Sequence, residues 1–210
     1  RTLCRQKEYS GLPDKILHPV ASAAPKHFTI CSWNARALAH HDDSMKHRKV
    51  AQLLRWSQGC SYMCVQEAHG SLQEIERLTF PFQRDFWIFV SPHPNRSAGG
   101  LLTLIDKKHC PNKEKIVEEV FQPGRVARYS CANGTETLVV WNVHNFDIHP
   151  WNFNRIEKQL GEDIIKSKEA PLAFTTWLTG DINFLAPGDT RYFITTPATR
   201  SNTSRHRTPY

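Results

Sequence analysis

The order of elements predicted for this 210-residue chain gives a mixed α/β (α+β) class. Three observations carry it. Apolar strand-length runs near the start are separated by amphipathic helix-length stretches, a meander of short strands follows, and a long helix leads into a last apolar run. Strands and helices in that order must bury their apolar faces against one another. The last run, Thr176 to Phe184, ends in Gly180-Asp181-Ile182-Asn183 and so presents a carboxylate and an amide at one edge of a sheet. Gly-Asp and Asn also make ordinary turns, and the tip alone leaves both readings open.

Residues 1–26 have no hydrophobic period and contain Gly11, Pro13, Pro19 and Pro25, the composition of a tail ahead of a domain expected over 27–193. His27 to Asn34 is apolar or β-prone on both faces and reads as an inner strand ending at Asn34. A helix is expected from a cap at Asp42, Asp43 or Ser44 to Gln58, with Val50, Leu53, Leu54 and Ser57 on its apolar face and Gly59 as its stop. Lys46, His47, Arg48, Lys49 and Arg55 then form a solvated outer face. Ser61 to Glu67 is a second strand with an acidic end, and Ser71-Leu72-Gln73-Glu74 fits a capping box that opens a short helix. Arg84 to Ser91 and Ala98 to Ile105 are further strands; Gly99-Gly100 marks a bulge or the close approach of a backbone or ligand. Glu118 to Phe121, Arg125 to Cys131 and Thr137 to His144 form the meander, with turns at Pro123-Gly124 and Asn133-Gly134. From Pro150 to Lys168 a helix places Phe153, Ile156, Leu160 and Ile164 on one face, and Trp177 to Asp181 follows as a strand. Residues 194–210 are polar and aperiodic, and a disordered tail is expected there.

A hydrophobic content of 40% with 22% charged residues fits a soluble globular domain, and no apolar run approaches the ~18 residues of a membrane span. Six cysteines without a Cys-x-x-Cys pair predict free, mostly buried thiols rather than disulfides or zinc, and with no signal peptide in view an intracellular location, nuclear or cytoplasmic, is expected. On that reading the glycosylation-type sequons at Asn95, Asn133 and Asn202 are chance matches. The net charge of +7 and pI of about 9.2 suit a polyanionic partner, and equally suit simple solubility.

Asn34, Glu67, Asn142 with His144, and Asp181 with Asn183 all lie where an apolar strand stops, and the intervening helices and hairpins return the chain to the same edge. Brought together, Glu67 and Asp181 are like charges that a hard divalent cation would relieve, Mg2+ or Mn2+ by the oxygen character of the donors.

Trp33-Asn34-Ala35-Arg36, Val65-Gln66-Glu67, Pro123-Gly124-Arg125, Asn142-Val143-His144-Asn145 and Gly180-Asp181-Ile182-Asn183 resemble, in this order, the motifs of the endonuclease/exonuclease/phosphatase superfamily, the DNase I-like enzymes. The first and third most resemble the endonuclease domains of LINE-type retrotransposons. The resemblance implies a four-layer α/β/β/α sandwich of two packed mixed sheets and a metal-dependent phosphodiesterase site acting on DNA. It assigns Glu67 to the metal, Asn34 to metal or phosphate, Asp181 to the attacking water and Asn183 to the scissile phosphate. His144 matches the histidine of the DNase I and sphingomyelinase branches and would donate a hydrogen bond or a proton to phosphate oxygen. Asn142, Arg36 and Trp151 are candidate substrate contacts. Arg36, like Arg96, is equally explained by a surface salt bridge.

One departure stands out. The superfamily's late Ser-Asp-His segment has no match after Asp181, since Ser204-Arg205-His206 lacks the aspartate. The chain is therefore expected to lack the last strands of the fold and to be weakly active or inactive. A phosphoinositide phosphatase or sphingomyelinase-like phosphoesterase and a noncatalytic nucleic-acid-binding fragment are the alternative functions. His40, His41 and His47 are read as solvent-facing rather than metal-binding, and Trp33, Trp87, Trp141 and Trp177 as core aromatics.

Overall fold

The computed structural model describes residues 28–171 and 173–182. The predicted tails at 1–26 and 194–210, Asn183, and Ser204-Arg205-His206 lie outside those residues. The described chain runs β1 (Ile30–Asn34), α1 (Asp43–Ser57), β2 (Tyr62–Gln66), α2 (Leu72–Thr79), β3 (Phe86–Ser91), β4 (Leu101–Asp106), β5 (Ile116–Gln122), β6 (Val126–Asn133), β7 (Glu136–His144), α3 (Pro150–Glu169) and β8 (Phe174–Asp181). The helix starts are those the caps dictate. Asp42 accepts from Met45 N ahead of α1, Ser71 and Glu74 form a complete capping box, and Pro150 occupies the first turn of α3.

The strands form two four-stranded mixed sheets, ordered β1-β2-β4-β3 and β5-β6-β7-β8. The parallel pairs are β1 with β2, joined through α1, and β7 with β8, joined through α3. Strand side chains alternate between the two faces, and the apolar residues therefore sort into three cores. Met63, Val65, Leu102 and Leu104 pack on one side with Leu53 of α1 and Ile75 of α2. Tyr62, Cys64, Ile105, Ala127, Tyr129 and Val140 fill the space between the sheets. Val126, Val139, Trp141 and Val143 pack with Ile156 and Leu160 of α3. Helices, sheet, sheet and helix make the four-layer α/β/β/α sandwich. No helix among the described residues is long and apolar enough to cross a membrane.

Asp163 anchors the α3 layer. It is fully buried, takes two hydrogen bonds from Arg128 at 2.8 and 2.9 Å, and accepts from Trp141 Nε1 at 2.9 Å. Arg128 also reaches Glu119 at 2.8 Å. The inward face of α3 centres on Ile156, Leu160 and Asp163, whereas Phe153 and Ile164 of the predicted stripe are both exposed. On α1, Leu53 is buried but its neighbour Leu54 is exposed, as adjacent helical positions point in different directions. Trp141 is a core aromatic as expected, but Trp177 on the outer strand β8 is partly in solvent.

The cysteine expectation is corrected. Cys110 and Cys131 form a disulfide between the turn after β4 and β6, because the packed sheets bring together residues 21 apart in sequence. The compartment inferred from free thiols loses that support. Cys64 behaves as predicted, buried between the sheets with its thiol pushed up to about 12 by burial.

Replacing Asp163 by Ala leaves Arg128 charged and buried and should cost about 3–5 kcal/mol in urea unfolding. The double change Asp163→Leu with Arg128→Met should recover most of that loss.

Candidate active site

The two parallel pairs end at the same rim of the sandwich. Along β1, β2, β7 and β8 the side chains of Asn34, Gln66, Asn142 and Asp181 fall on the inter-sheet face by strand alternation, and His144 follows Asn142 in phase. Behind the rim, Gln66 Nε2 donates to Asn142 Oδ1 at 2.7 Å, and Asn142 Nδ2 donates to Thr103 Oγ1 at 3.0 Å and to Leu102 O at 3.2 Å. Asn142, a predicted substrate contact, is thus wholly buried and its amide is spent in joining the sheets.

Glu67 is one residue out of phase with Gln66. Its left-handed φ of 52° turns the chain there and returns the carboxylate to the rim. Asn34 Nδ2 donates to Glu67 Oε1 at 3.0 Å and to Asp181 Oδ2 at 2.6 Å, so one amide bridges the two acids. Asn34 Oδ1 accepts from Arg36 N at 3.0 Å, which fixes which end of the amide faces them. His144 Nε2 lies 3.3 Å from Glu67 Oε1. Donor atoms of Glu67, His144 and Asp181 all fall within 4.8 Å of one another, a geometry that can hold a metal ion. Two half-buried carboxylates suit a hard divalent cation, and the Asn34 NH2 group and the His144 imidazole stand beside them as hydrogen-bond donors.

Backbone contacts and a lysine read from sequence as solvent-facing hold this cluster in place. The loops after β1 and β2 are zipped together by Ala35 N to Gln66 O at 2.9 Å and Ala37 N to Glu67 O at 2.8 Å. Arg36 and Ala37 are also left-handed, with φ of 47° and 71°. Lys49 secures that loop by donating to Ala35 O and Ala37 O at 2.8 Å each, and to Arg36 O. It is therefore a structural clamp, not part of the solvated face of α1, and burial lowers its pKa. Arg36 itself is exposed at the rim and Trp151 lies in solvent at the start of α3.

Arg125 is the least expected member. Its side chain is almost completely buried, and its Nη1 lies 2.7 Å from His144 Nδ1. Gly99 makes room for it, since a Cβ there would stand 2.8 Å from Nη1. A guanidinium has no acceptor, so Nδ1 must accept and the imidazole proton must sit on Nε2, toward Glu67. Burial first, and then the Arg125 charge, hold His144 below the usual histidine range, against the pull of Glu67 and Asp181. His69, with Nε2 4.0 Å from Glu67 Oε2, is lowered by burial as well. Gln-Glu followed by a histidine was visible in the sequence, but only the turn at Glu67 places His69 at the site.

No family model matches the chain, and no curated protein sequence matches it. Among solved structures, the AP endonuclease LMAP from Leishmania major superposes with a TM-score of 0.54 at 13% identity, over 82% of this chain and 60% of its own length. The fold is DNase I-like. Looser superpositions are found for the APE2 catalytic domain of Xenopus laevis, with TM-score 0.44 at 17% identity over 76% of this chain and 62% of that one. Truncated TDP2 of Caenorhabditis elegans gives 0.46 at 16% over 74% and 62%. At 13% identity the likeness to the Leishmania structure carries architecture and no residue roles, and the described cluster stands on its own geometry. The chain spans 60% of the length of the Leishmania protein.

His144 and His69 bind protons less readily folded than unfolded, so stability should be complete above the ordinary histidine value of 6.5 and fall as pH drops below it. Urea unfolding of the metal-free protein at pH 7.5 and 5 should show this slope, flattened in His69→Gln/His144→Gln. Gly180 has φ 138° and a Cβ there would lie 1.8 Å from Val143 O. Gly180→Ala should therefore destabilise by more than ~1 kcal/mol in the same assay.

Proposed function

We propose that this chain is a divalent-metal-dependent phosphodiester hydrolase acting on DNA, an endonuclease of the retroelement type. The observation that carries the reading is the clustering of Glu67, Asn34, Asp181 and His144 at one rim of a DNase I-like sandwich. The net charge of +7 suits a polyanionic substrate, and the retroelement assignment rests on the Trp-Asn-Ala-Arg and Pro-Gly-Arg motifs. That the Leishmania neighbour is an AP endonuclease adds weight to a nucleic-acid substrate.

In this reading Glu67 would hold Mg2+ or Mn2+, with Asn34 and Asp181 beside it. A bound divalent cation supplies charge neutralisation at the phosphoryl oxygens. Asp181 orients the attacking water and takes its proton on Oδ as the water oxygen bonds to phosphorus, the P–O bond to the leaving ester oxygen breaks, and that oxygen takes a proton from solvent. His144, its proton confined to Nε2 by Arg125, donates a hydrogen bond to a nonbridging oxygen as charge builds there. Arg125 adds positive charge beneath the same oxygen, and Arg36 is placed to meet a flanking phosphate. Asn183 is assigned to the phosphate by its motif alone.

The histidine at position 144 also suits a sphingomyelinase or phosphoinositide phosphatase. A panel with sphingomyelin and phosphoinositides beside plasmid DNA separates these readings.

With Mg2+ the 210-residue chain should nick supercoiled plasmid slowly, as the unmatched Ser-Asp-His segment implies, and EDTA should abolish the nicking. Glu67→Gln and Asp181→Ala should leave no measurable rate, and His144→Ala should lower it about 10²- to 10³-fold. Salt-dependent DNA binding with no nicking by the wild type would sink the enzymatic reading in favour of a noncatalytic nucleic-acid-binding protein.

A further inference from the structure

Two aromatic rings stand in solvent on the segment that follows His144. Phe146 is 60% exposed and Trp151 is 80% exposed. Exposing rings of this size forgoes the free energy of burying them, and the backbone that carries them is firmly held. Gln122 Nε2 donates to Asp147 O at 2.9 Å, while its Oε1 accepts from His149 N at 2.8 Å and from Asn152 Nδ2 at 3.0 Å. Asn145 N donates to Asp181 O at 2.9 Å, and Ile148 packs into the core under α3. The segment is pinned at both ends and in the middle, so the rings are presented on a stiff support.

Each ring leans on a planar neighbour. Phe146 lies 17° from the plane of His144 with centroids 6.1 Å apart, and Arg125 Cζ stands 5.3 Å from the Phe146 centroid. Trp151 lies 18° from the plane of His149 at 5.7 Å. Phe146 is thus a flat ring open to solvent and 6.1 Å from the imidazole proposed to contact phosphate, and Trp151 is a second open ring on the same held segment.

We infer that Phe146 and Trp151 form a stacking platform for unpaired nucleobases, so that the site engages single-stranded or locally unpaired DNA. The inference rests on the nucleic-acid reading above and narrows its substrate. In a duplex both faces of a base are covered by its neighbours, and these rings have nothing to stack on until a base leaves the stack. A lipid surface fits the segment less well. His144 to Phe153 contains no Lys or Arg, and Asp147 lies between the two rings, so an anionic bilayer finds no basic anchor there.

The test uses the whole 210-residue chain in EDTA, with wild type, Phe146→Ala, Phe146→Tyr and Trp151→Ala. Binding is measured to a labelled single strand, the same sequence as a duplex, a base-less strand of equal length, and phosphatidylserine vesicles. Both alanine variants should weaken single-strand binding about 5- to 100-fold. Phe146→Tyr should restore it, and binding to the duplex and base-less strand should be unchanged. Trp151 emission should be quenched by the single strand. No single-strand binding by the wild type, equal losses on the base-less strand, no loss at all, or vesicle binding that depends on the two rings overturns the inference. Exposed positions tolerate these changes in stability, and unfolding curves confirm it. Plasmid nicking with Mg2+ is scored alongside. Ring-dependent binding without nicking removes the enzymatic reading and leaves the platform, whereas nicking with ring-independent binding removes the platform alone.

Discussion

Gln66 on β2 and Asn142 on β7 meet at 2.7 Å across the space between the sheets, and Asn34, Glu67, His144 and Asp181 each lie within two residues of this pair or of its strand partners. Asn34 is the register partner of Gln66, Glu67 follows Gln66, His144 lies two residues beyond Asn142, and Asp181 is the partner of His144. An apolar interface lets two sheets slide with little change in buried area. A buried amide pair does not, because a slip strands donors and acceptors that have no water to turn to. The alignment of the four strand ends, and with it the spacing of the two carboxylates, follows from that polar contact.

The rim itself departs from regular structure in a concentrated way. Glu67, Arg36 and Ala37 all adopt left-handed conformations that cost non-glycine residues free energy. Lys49 offsets part of that cost by binding three consecutive carbonyls. Arg125 is buried against an imidazole rather than a carboxylate, so its charge remains available to the site. Both cations act from beneath the cleft. They rigidify the groups that face it and bias it toward an anionic ligand without themselves occupying it.

Much of the architecture was legible before folding was considered. The caps at Asp42 and Ser71, the proline at 150, the Asn-Gly turn and the apolar runs placed the helices and strands to within a few residues, because these signals act over one turn or one strand. Stripes on α1 and α3 were read less well. Leu54, Phe153 and Ile164 are apolar but exposed, while the buried centre of α3 is Asp163, whose partners Arg128 and Trp141 lie on other strands. A charged residue cannot announce from its neighbours in sequence that an opposite charge awaits it across a layer.

The candidate site divides along the same line. By itself the sequence determined which residue types stand at the strand ends, Asn34, Glu67, His144 and Asp181, since strand termination and polarity are local properties. Only the tertiary structure decided which of them meet and which do not. It turned Glu67 back to the rim and buried Asn142 between the sheets. Arg125 came to rest under His144, Cys110 was joined to Cys131, and Phe146 was set in the open beside the cluster. These outcomes depend on contacts between residues far apart in the chain, and such contacts exist only once both sheets have formed and packed.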